Sequence, residues 1–357
     1  MKTQRATMVI GKRHIHDGGD CYVIAEIGHN HQGNLDTCKK LFLAAKNSGA
    51  DAVKLQKRDN KTLFTKAAYD KPYDNPNSFG ATYGEHREFL EFGWPEYVEL
   101  QAYARDLDLD FFSTAFDIPS ADFLERLNVP AYKLASGDLK STPLLKHVAK
   151  FGKPLILSTG GATLDDIRRA YEVVRPLNNQ ICIMQCTAGY PPEWHELNLM
   201  VIDTLRKEFP NIVIGFSSHD SGIAMAIAGY MLGARIIEKH FTLNRAMKGT
   251  DHAFSLEPTG LTKMVRDLRR LKLSLGDGKK ITYPSEKAPI TKMGKSLVAA
   301  RDLPQGYVLT EEDIFMKSPG GGIPPYEWDS LVGMTLTQPM KKDETFDAAK
   351  IAVKKRA

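Results

Sequence analysis

With 357 residues, the chain exceeds one small domain and has room for a large α/β barrel plus an appendage. A hydrophobic fraction of 42%, a charged fraction of 25% and a mean hydropathy of −0.32 mark a globular protein, and no apolar run approaches the ~18 residues that would span a membrane. The net charge of +5 is spread along the chain, which argues against nucleic acid as a partner and suits a small anionic substrate.

The opening residues, MKTQRATMVIGKRH, lack the continuous apolar stretch of a secretory signal, so a cytoplasmic location is expected. The basic tail of Lys354, Lys355 and Arg356 is expected to be a solvated, frayed end. Four cysteines, Cys21, Cys38, Cys182 and Cys186, form no C-x-x-C pair. They read as buried free thiols rather than a disulfide or zinc site.

A Met8–Ile15 segment is expected to form a hairpin below a barrel. From Cys21 onward one theme repeats: a short β-branched or apolar run ending in polar residues, then a stretch of helical spacing. The runs are Cys21–Ile27, Ala52–Gln56, Asp110–Ser113, Ala131–Ala135, Leu155–Ser158, Ile181–Cys186, Ile212–Phe216 and Ala234–His240. Amphipathic segments such as Leu35–Ser48, Pro95–Leu107, Asp165–Val174 and Met200–Phe209 lie between them. Eight such units predict an α/β fold, a (β/α)8 TIM barrel over residues 1–276 with the N-terminal hairpin. A last helix, Leu261–Leu275, is followed by GDGKKITYPSEKAP, and residues 277–291 read as a linker. From residue 292 to 357, short strand-like pieces (Lys295–Ala300, Met334–Gln338) alternate with Gly/Pro turns and predict a small β-rich domain.

In such a barrel the chemistry sits at the C-terminal strand ends. Those ends offer Glu26, then Lys54 with Gln56, then Ser113 and Thr114, then Lys133, Ser136 and Asp138. They continue with Ser158-Thr159-Gly160-Gly161, Tyr190, Ser217 with His219, and Glu238 with His240. One charged strand end is ordinarily a solvated loop residue, but a ring of them is costly to bury without a purpose. Two lysines, several hydroxyls and a Ser-Thr-Gly-Gly turn make an anion pocket, with backbone N–H groups of the turn as further donors. Two histidines on adjacent strands can hold one divalent cation with positions left open; two core or general-acid histidines is the competing reading. His29 and His31 straddle a turn and read as loop hydrogen-bonders at the barrel mouth, while His14 and His16 read as surface residues. The Lys248–His252 segment, with Asp251, either covers the pocket or is a plain surface loop.

Seven stretches resemble the sialic acid synthase family: AEIGHNHQG (25–33), DAVKLQ (51–56), YKLASGD (132–138), PLILSTGG (154–161), QCTAGYP (185–191), GFSSHD (215–220) and GARIIEKHFTLNRAMKGTDHAFSLEP (233–258). The tail, from KSLVAARDLPQGYVLTEEDI to GGGIPP and LVGMTL, resembles that family's antifreeze-like (SAF) domain. The resemblance implies condensation of phosphoenolpyruvate with an N-acylated amino sugar, N-acetylmannosamine or its 6-phosphate. Phosphoenolpyruvate would be held by Lys54, Lys133, Ser136, Ser158 and Ser217. The sugar would meet Gln56, Thr114, Tyr190, Glu238 and Asp251. His219 and His240 would hold a divalent metal ion, Mn2+ or Mg2+, with Glu26 as catalytic carboxylate and Asp138 as a second candidate base. It also implies a homodimer with exchanged SAF domains.

The Lys-Arg-Pro-Gly of many bacterial members is Lys317-Ser318-Pro319-Gly320 here, and their asparagine two residues before the tyrosine is Ala188. The stretch KPYDNPNSFGATYGEHREFLEF (71–92) looks closer to animal-type members, which take the 6-phosphorylated sugar. Within it, His86 and Arg87 are expected at a solvated helix start, with a phosphate contact as the alternative. Competing readings are a synthase for a related acid such as legionaminic or pseudaminic acid, a metal-dependent aldolase, and a non-catalytic carbohydrate-binding protein.

Overall fold

The computed structural model describes residues 6–352; the basic tail at 354–356 lies outside them. Strands β1 (Thr7–Ile10) and β2 (Arg13–His16) form an antiparallel hairpin. Its Met8, Ile10 and Ile15 are buried in the main core, while Arg13 reaches Asp51 and Asp110 just before or at the start of two barrel strands. The hairpin therefore closes the N-terminal end of the barrel, leaving the opposite end for chemistry.

The barrel strands are β3 (Tyr22–Gly28), β4 (Ala52–Lys57), β5 (Asp110–Ala115), β6 (Tyr132–Leu134), β7 (Leu155–Ser158), β8 (Ile181–Cys186), β9 (Val213–Ser218) and β10 (Ile236–His240). They close into one parallel ring in which β10 pairs with β3, the (β/α)8 architecture expected from the eightfold pattern. All residues of β3, β8, β9 and β10 are buried, as strands wrapped by helices require.

The surrounding helices are α1 (Leu35–Asn47), α2 (Asn60–Leu63), α3 (Lys66–Tyr69), α4 (Tyr83–Leu90), α5 (Trp94–Asp106), α6 (Ile118–Leu127), α7 (Thr142–Ala149), α8 (Leu164–Val174), α9 (Val201–Glu208), α10 (Ala224–Met231) and α11 (Pro258–Ser274). Their starts are encoded locally: Asn34, Asp117 and Thr163 each accept a first-turn backbone N–H, satisfying donors that the helix cannot. Helices α2 to α4 occupy a long excursion between β4 and α5. Among the described residues, no helix is long and apolar enough to cross a membrane.

The chain divides into two compact units, residues 1–276 and 277–357. The segment read as a linker is not featureless, since α12 (Lys287–Met293) falls largely inside it. In the second unit, β11 (Ser296–Ala299) pairs with β12 (Ile314–Lys317), and β13 (Thr335–Leu336) with β14 (Ile351–Ala352), with the short α13 (Trp328–Leu331) beside them in sequence. Its own core is built on Leu297, Leu309, Ile314, Leu336 and Phe346. All four cysteines are buried and free.

Candidate active site

A cavity of about 510 Å3 opens at the C-terminal ends of the barrel strands. The register of the ring sets its floor: Glu26 on β3 stands opposite Lys54 on β4 and His240 on β10, and Glu238 stands opposite Ser217. Side-chain alternation then turns Lys54 and Gln56, or Glu238 and His240, to the same inward face. Gly28 has a φ of +53°, and a Cβ there would press on both Gln56 and Glu26 at 3.2 Å. A glycine is thus needed where the chain turns away from the site.

Four charged side chains at the floor are almost completely buried: Glu26, Lys54, Lys133 and Glu238. Lys54 Nζ lies 2.7 Å from Glu26 Oε2, 3.6 Å from Glu238 Oε2, and donates to Thr114 Oγ1 at 2.7 Å. Lys133 Nζ donates to Ser158 Oγ at 2.6 Å and lies 3.8 Å from Glu238. Gln56 donates to Glu26 at 2.8 Å, and Ser217 to Glu238 at 3.0 Å. Burial pushes the Glu26 carboxyl up, with Lys54 opposing it. Burial acts against the charge on Glu238 too, but Lys133 and Lys54 outweigh it and hold that carboxyl low. Two carboxylates of one residue type are thereby set apart, one easier to protonate than the other.

Above the floor stand the histidines. The ring centroids of His219 and His240 are 5.3 Å apart, and Tyr190 stacks obliquely on His219 at 4.2 Å. His219 Nδ1 is 2.9 Å from the carbonyl of Thr187, which leaves its other nitrogen free. His240 Nδ1 is buried without a hydrogen-bond partner, with Asp251 Oδ2 at 3.7 Å. Burial, reinforced by His240, pushes His219 down to about 4, and burial also lowers His240. Both imidazoles are therefore neutral at pH 7, the form that binds metal. Among the described residues no cluster of three or more ligating side chains exists. The orphaned nitrogen and paired neutral rings fit a two-histidine cation site whose other ligands come from substrate and water.

Of the residues expected from sequence, Glu26, Lys54, Gln56, Thr114, Lys133, Ser136, Ser158, Tyr190, Ser217, His219, Glu238, His240 and Asp251 all line this one cavity. Asp138, expected as a second candidate base, is not among the residues that line it. It ends a 3-10 turn (Ser136–Asp138) in which Ser136 and Gly137 face the cavity, and burial pushes its carboxyl up to about 6. Ser113 also turns away, sharing a hydrogen bond with the Tyr97 hydroxyl at 3.0 Å. The Gly160 N–H of the Ser-Thr-Gly-Gly turn is engaged by Ser136 Oγ at 2.9 Å, so it is not a free anion donor.

The excursion after β4 brings a group that the sequence reading missed. Arg58, buried and stacked over Phe116 at 3.7 Å, lines the cavity and donates to Gln56 at 2.7 Å. Arg87, on α4, lines it as well. His29 sits between them, its Nε2 3.2 Å from Arg58 and its Nδ1 3.3 Å from Arg87. Neither guanidinium has a carboxylate within ion-pair distance among the described residues; burial and the neighbouring Arg87 lower Arg58 to about 10. The solvated helix start expected at His86 and Arg87 is overturned: His86 is buried among Tyr73, Phe79 and Tyr83.

Comparison with known proteins agrees with this geometry. Residues 41–280 match the NeuB family and residues 294–352 the SAF domain. The chain is 41% identical to the human N-acetylneuraminate-9-phosphate synthase, over 91% of each chain. It is 35% identical to the N,N'-diacetyllegionaminic acid synthase of Legionella pneumophila, over 91% of this chain and 93% of that one. Among solved structures, the N-acetylneuraminic acid synthetase of Leptospira borgpetersenii superposes with a TM-score of 0.70 at 29% identity, covering 81% of this chain and 97% of that one. A barrel whose strand ends gather two buried lysine–glutamate pairs beneath two histidines, followed by this second unit, belongs to an enzyme of the NeuB, or sialic acid synthase, family with a SAF domain.

Proposed function

We propose that the enzyme condenses phosphoenolpyruvate with the open-chain aldehyde of N-acetylmannosamine 6-phosphate and water, giving N-acetylneuraminate 9-phosphate and phosphate. The observation that carries the reaction is the floor, where Lys54 and Lys133 stand among hydroxyls in a closed ring of strand ends. Such a site suits a small trianion. Lys54, Lys133, Ser136, Ser158 and Ser217 hold the phosphate and carboxylate of phosphoenolpyruvate. Gln56, Thr114, Tyr190, Glu238 and Asp251 surround the sugar.

C3 of phosphoenolpyruvate attacks the aldehyde carbon, and the aldehyde oxygen takes a proton to become a hydroxyl. Water adds at C2 and loses its proton. The tetrahedral intermediate collapses to the ketone, breaking the C2–O bond and expelling phosphate. Glu26, pushed up by burial, is placed to orient the sugar and exchange that proton. Lys54 and Lys133 balance the anionic charge throughout. His219 and His240 are the residues that would hold a divalent cation, Mn2+ or Mg2+, which when bound supplies Lewis-acid polarisation of the aldehyde.

The 6-phosphate is assigned on Arg58 and Arg87, two cationic groups at the cavity without carboxylate partners. The likeness to the human 9-phosphate synthase supports the same acceptor. The expected assembly is a homodimer with exchanged SAF units, for which sedimentation at equilibrium is the direct measurement. Phosphate release across a panel of N-acylated hexosamines, with and without 6-phosphate, tests the substrate reading. Release with the phosphorylated mannosamine supports it; release only with a bacillosamine-type sugar would favour a legionaminic acid synthase, and release with a phosphorylated tetrose would reject both.

A further inference from the structure

Behind the two histidines, on the opposite face of their strands, lies a buried ion pair that the chemistry above does not use. On β9 and β10, Ser217 and Glu238 face the cavity. Alternation therefore turns their successors, Ser218 and Lys239, outward toward the helical layer, where the two residues are register partners. Lys239 is only 1% exposed and Asp220 only 2%. Lys239 Nζ donates to the backbone carbonyl of Asp220 at 2.5 Å and to its Oδ1 at 3.0 Å, and Ser218 Oγ donates to the same carboxylate.

The position of this pair is what gives it meaning. Asp220 directly follows His219, and Lys239 directly precedes His240. Strand pairing between β9 and β10 ends at Ser218 and Lys239. Beyond that point no backbone ladder fixes residue 219 against residue 240. The lysine bridges that gap, binding the chain after one histidine to the strand residue before the other. Burying an ion pair is a poor way to gain stability, since apolar replacements of similar volume are often neutral or better. A pair kept at this place is better explained by the geometry it imposes.

We propose that Lys239 and Asp220 are positioning residues that hold His219 and His240 at the separation needed to share one divalent cation. The inference rests on the two-histidine metal reading given under the proposed function. Its test is Mn2+ binding to the metal-stripped full-length protein, with free Mn2+ followed by electron paramagnetic resonance and folding by thermal denaturation. The double variant Lys239→Met with Asp220→Asn removes both charges without leaving either unpaired. It is expected to melt near the wild-type temperature while binding Mn2+ about 10- to 100-fold more weakly, the usual cost of losing a supporting partner behind metal ligands.

The single variant Asp220→Asn keeps the backbone carbonyl contact. Its amide oxygen can still accept from the Lys239 ammonium, so the variant is expected to melt below wild type, as a buried charge without its counter-charge requires, yet to fold and to lose less affinity than the double variant, which keeps the inference testable if the double variant does not fold. A folded variant of either kind that binds Mn2+ as tightly as wild type would overturn the clamp while leaving the metal site standing. Wild-type protein that binds neither Mn2+ nor Mg2+ would overturn the metal site, and the clamp with it.

Discussion

Replacing Arg87 by alanine should separate two acceptors that differ only in a phosphate. The guanidinium lines the cavity, with Nε and Nη2 donating to the Tyr83 hydroxyl at 3.0 and 2.8 Å and Nη1 beside His29. No carboxylate neutralises it among the described residues, so its charge is available to an incoming dianion. A charge-assisted hydrogen bond contributes about 1.5–3 kcal/mol, and about 1.4 kcal/mol is a factor of ten. Arg87→Ala should therefore lower kcat/KM for N-acetylmannosamine 6-phosphate roughly 10- to 100-fold. The same constant for unphosphorylated N-acetylmannosamine should change little, because that acceptor never meets the arginine. Steady-state phosphate release with both acceptors, at saturating phosphoenolpyruvate, reads the difference. Equal losses for the two acceptors would mean that Arg87 supports the fold of the excursion rather than binding phosphate, and the acceptor assignment would fall.

Lys133→Met should raise KM for phosphoenolpyruvate by about 100-fold or more, as a buried charged donor is lost from its pocket, while KM for the sugar moves far less; the reverse split would misplace the two substrates. Metal stripping with EDTA should abolish turnover, with recovery on adding Mn2+ or Mg2+, and His240→Ala should show neither activity nor recovery. Full activity in EDTA would refute the cation site. Stability should fall on acidification because buried histidines stay neutral in the folded state. For His31, pushed by burial down to about 3, the unfolded chain takes up a proton from about pH 6.5 downward while the folded one does not. That ring alone removes up to about 1.4 kcal/mol per pH unit between those values. His31→Asn retains an acceptor for the Gly33 N–H, which His31 Nδ1 now receives at 3.0 Å. Urea unfolding below pH 6.5 should then show a shallower loss for the variant, and identical slopes would contradict this source of acid lability.

The barrel and most of its site were legible because strand alternation and strand ends are local properties of sequence. Lys54 and Gln56 share a face two residues apart, as do Glu238 and His240, and a parallel ring of eight carries every such pair to one mouth. The same rule reaches Arg58, two residues beyond Gln56. The apolar run in the sequence stops at Gln56, whereas β4 continues to Lys57 and so sets the direction of the residue that follows it. Asp138 shows the limit from the other side. The strand periodicity stops at Leu134 and a 3-10 turn follows, so spacing along the chain no longer predicts which side chain faces the cavity. His86 and Arg87 were read as solvated because their neighbours in sequence are polar. Their environment is instead made by Tyr73, Phe79 and His29, brought in by the fold of the excursion. The pair Lys239–Asp220 was equally hidden, since nothing in IIEKHF tells a buried lysine from a solvated one until the helical layer is in place.

The reaction itself is tested most directly with phosphoenolpyruvate carrying 18O in the bridging position between C2 and phosphorus. If water adds at C2 and the C–O bond breaks, the released phosphate carries the label, and it appears only when the acceptor sugar is also present. Unlabelled phosphate with the 18O left in the organic product, or labelled phosphate released without the sugar, would contradict the condensation proposed for this site.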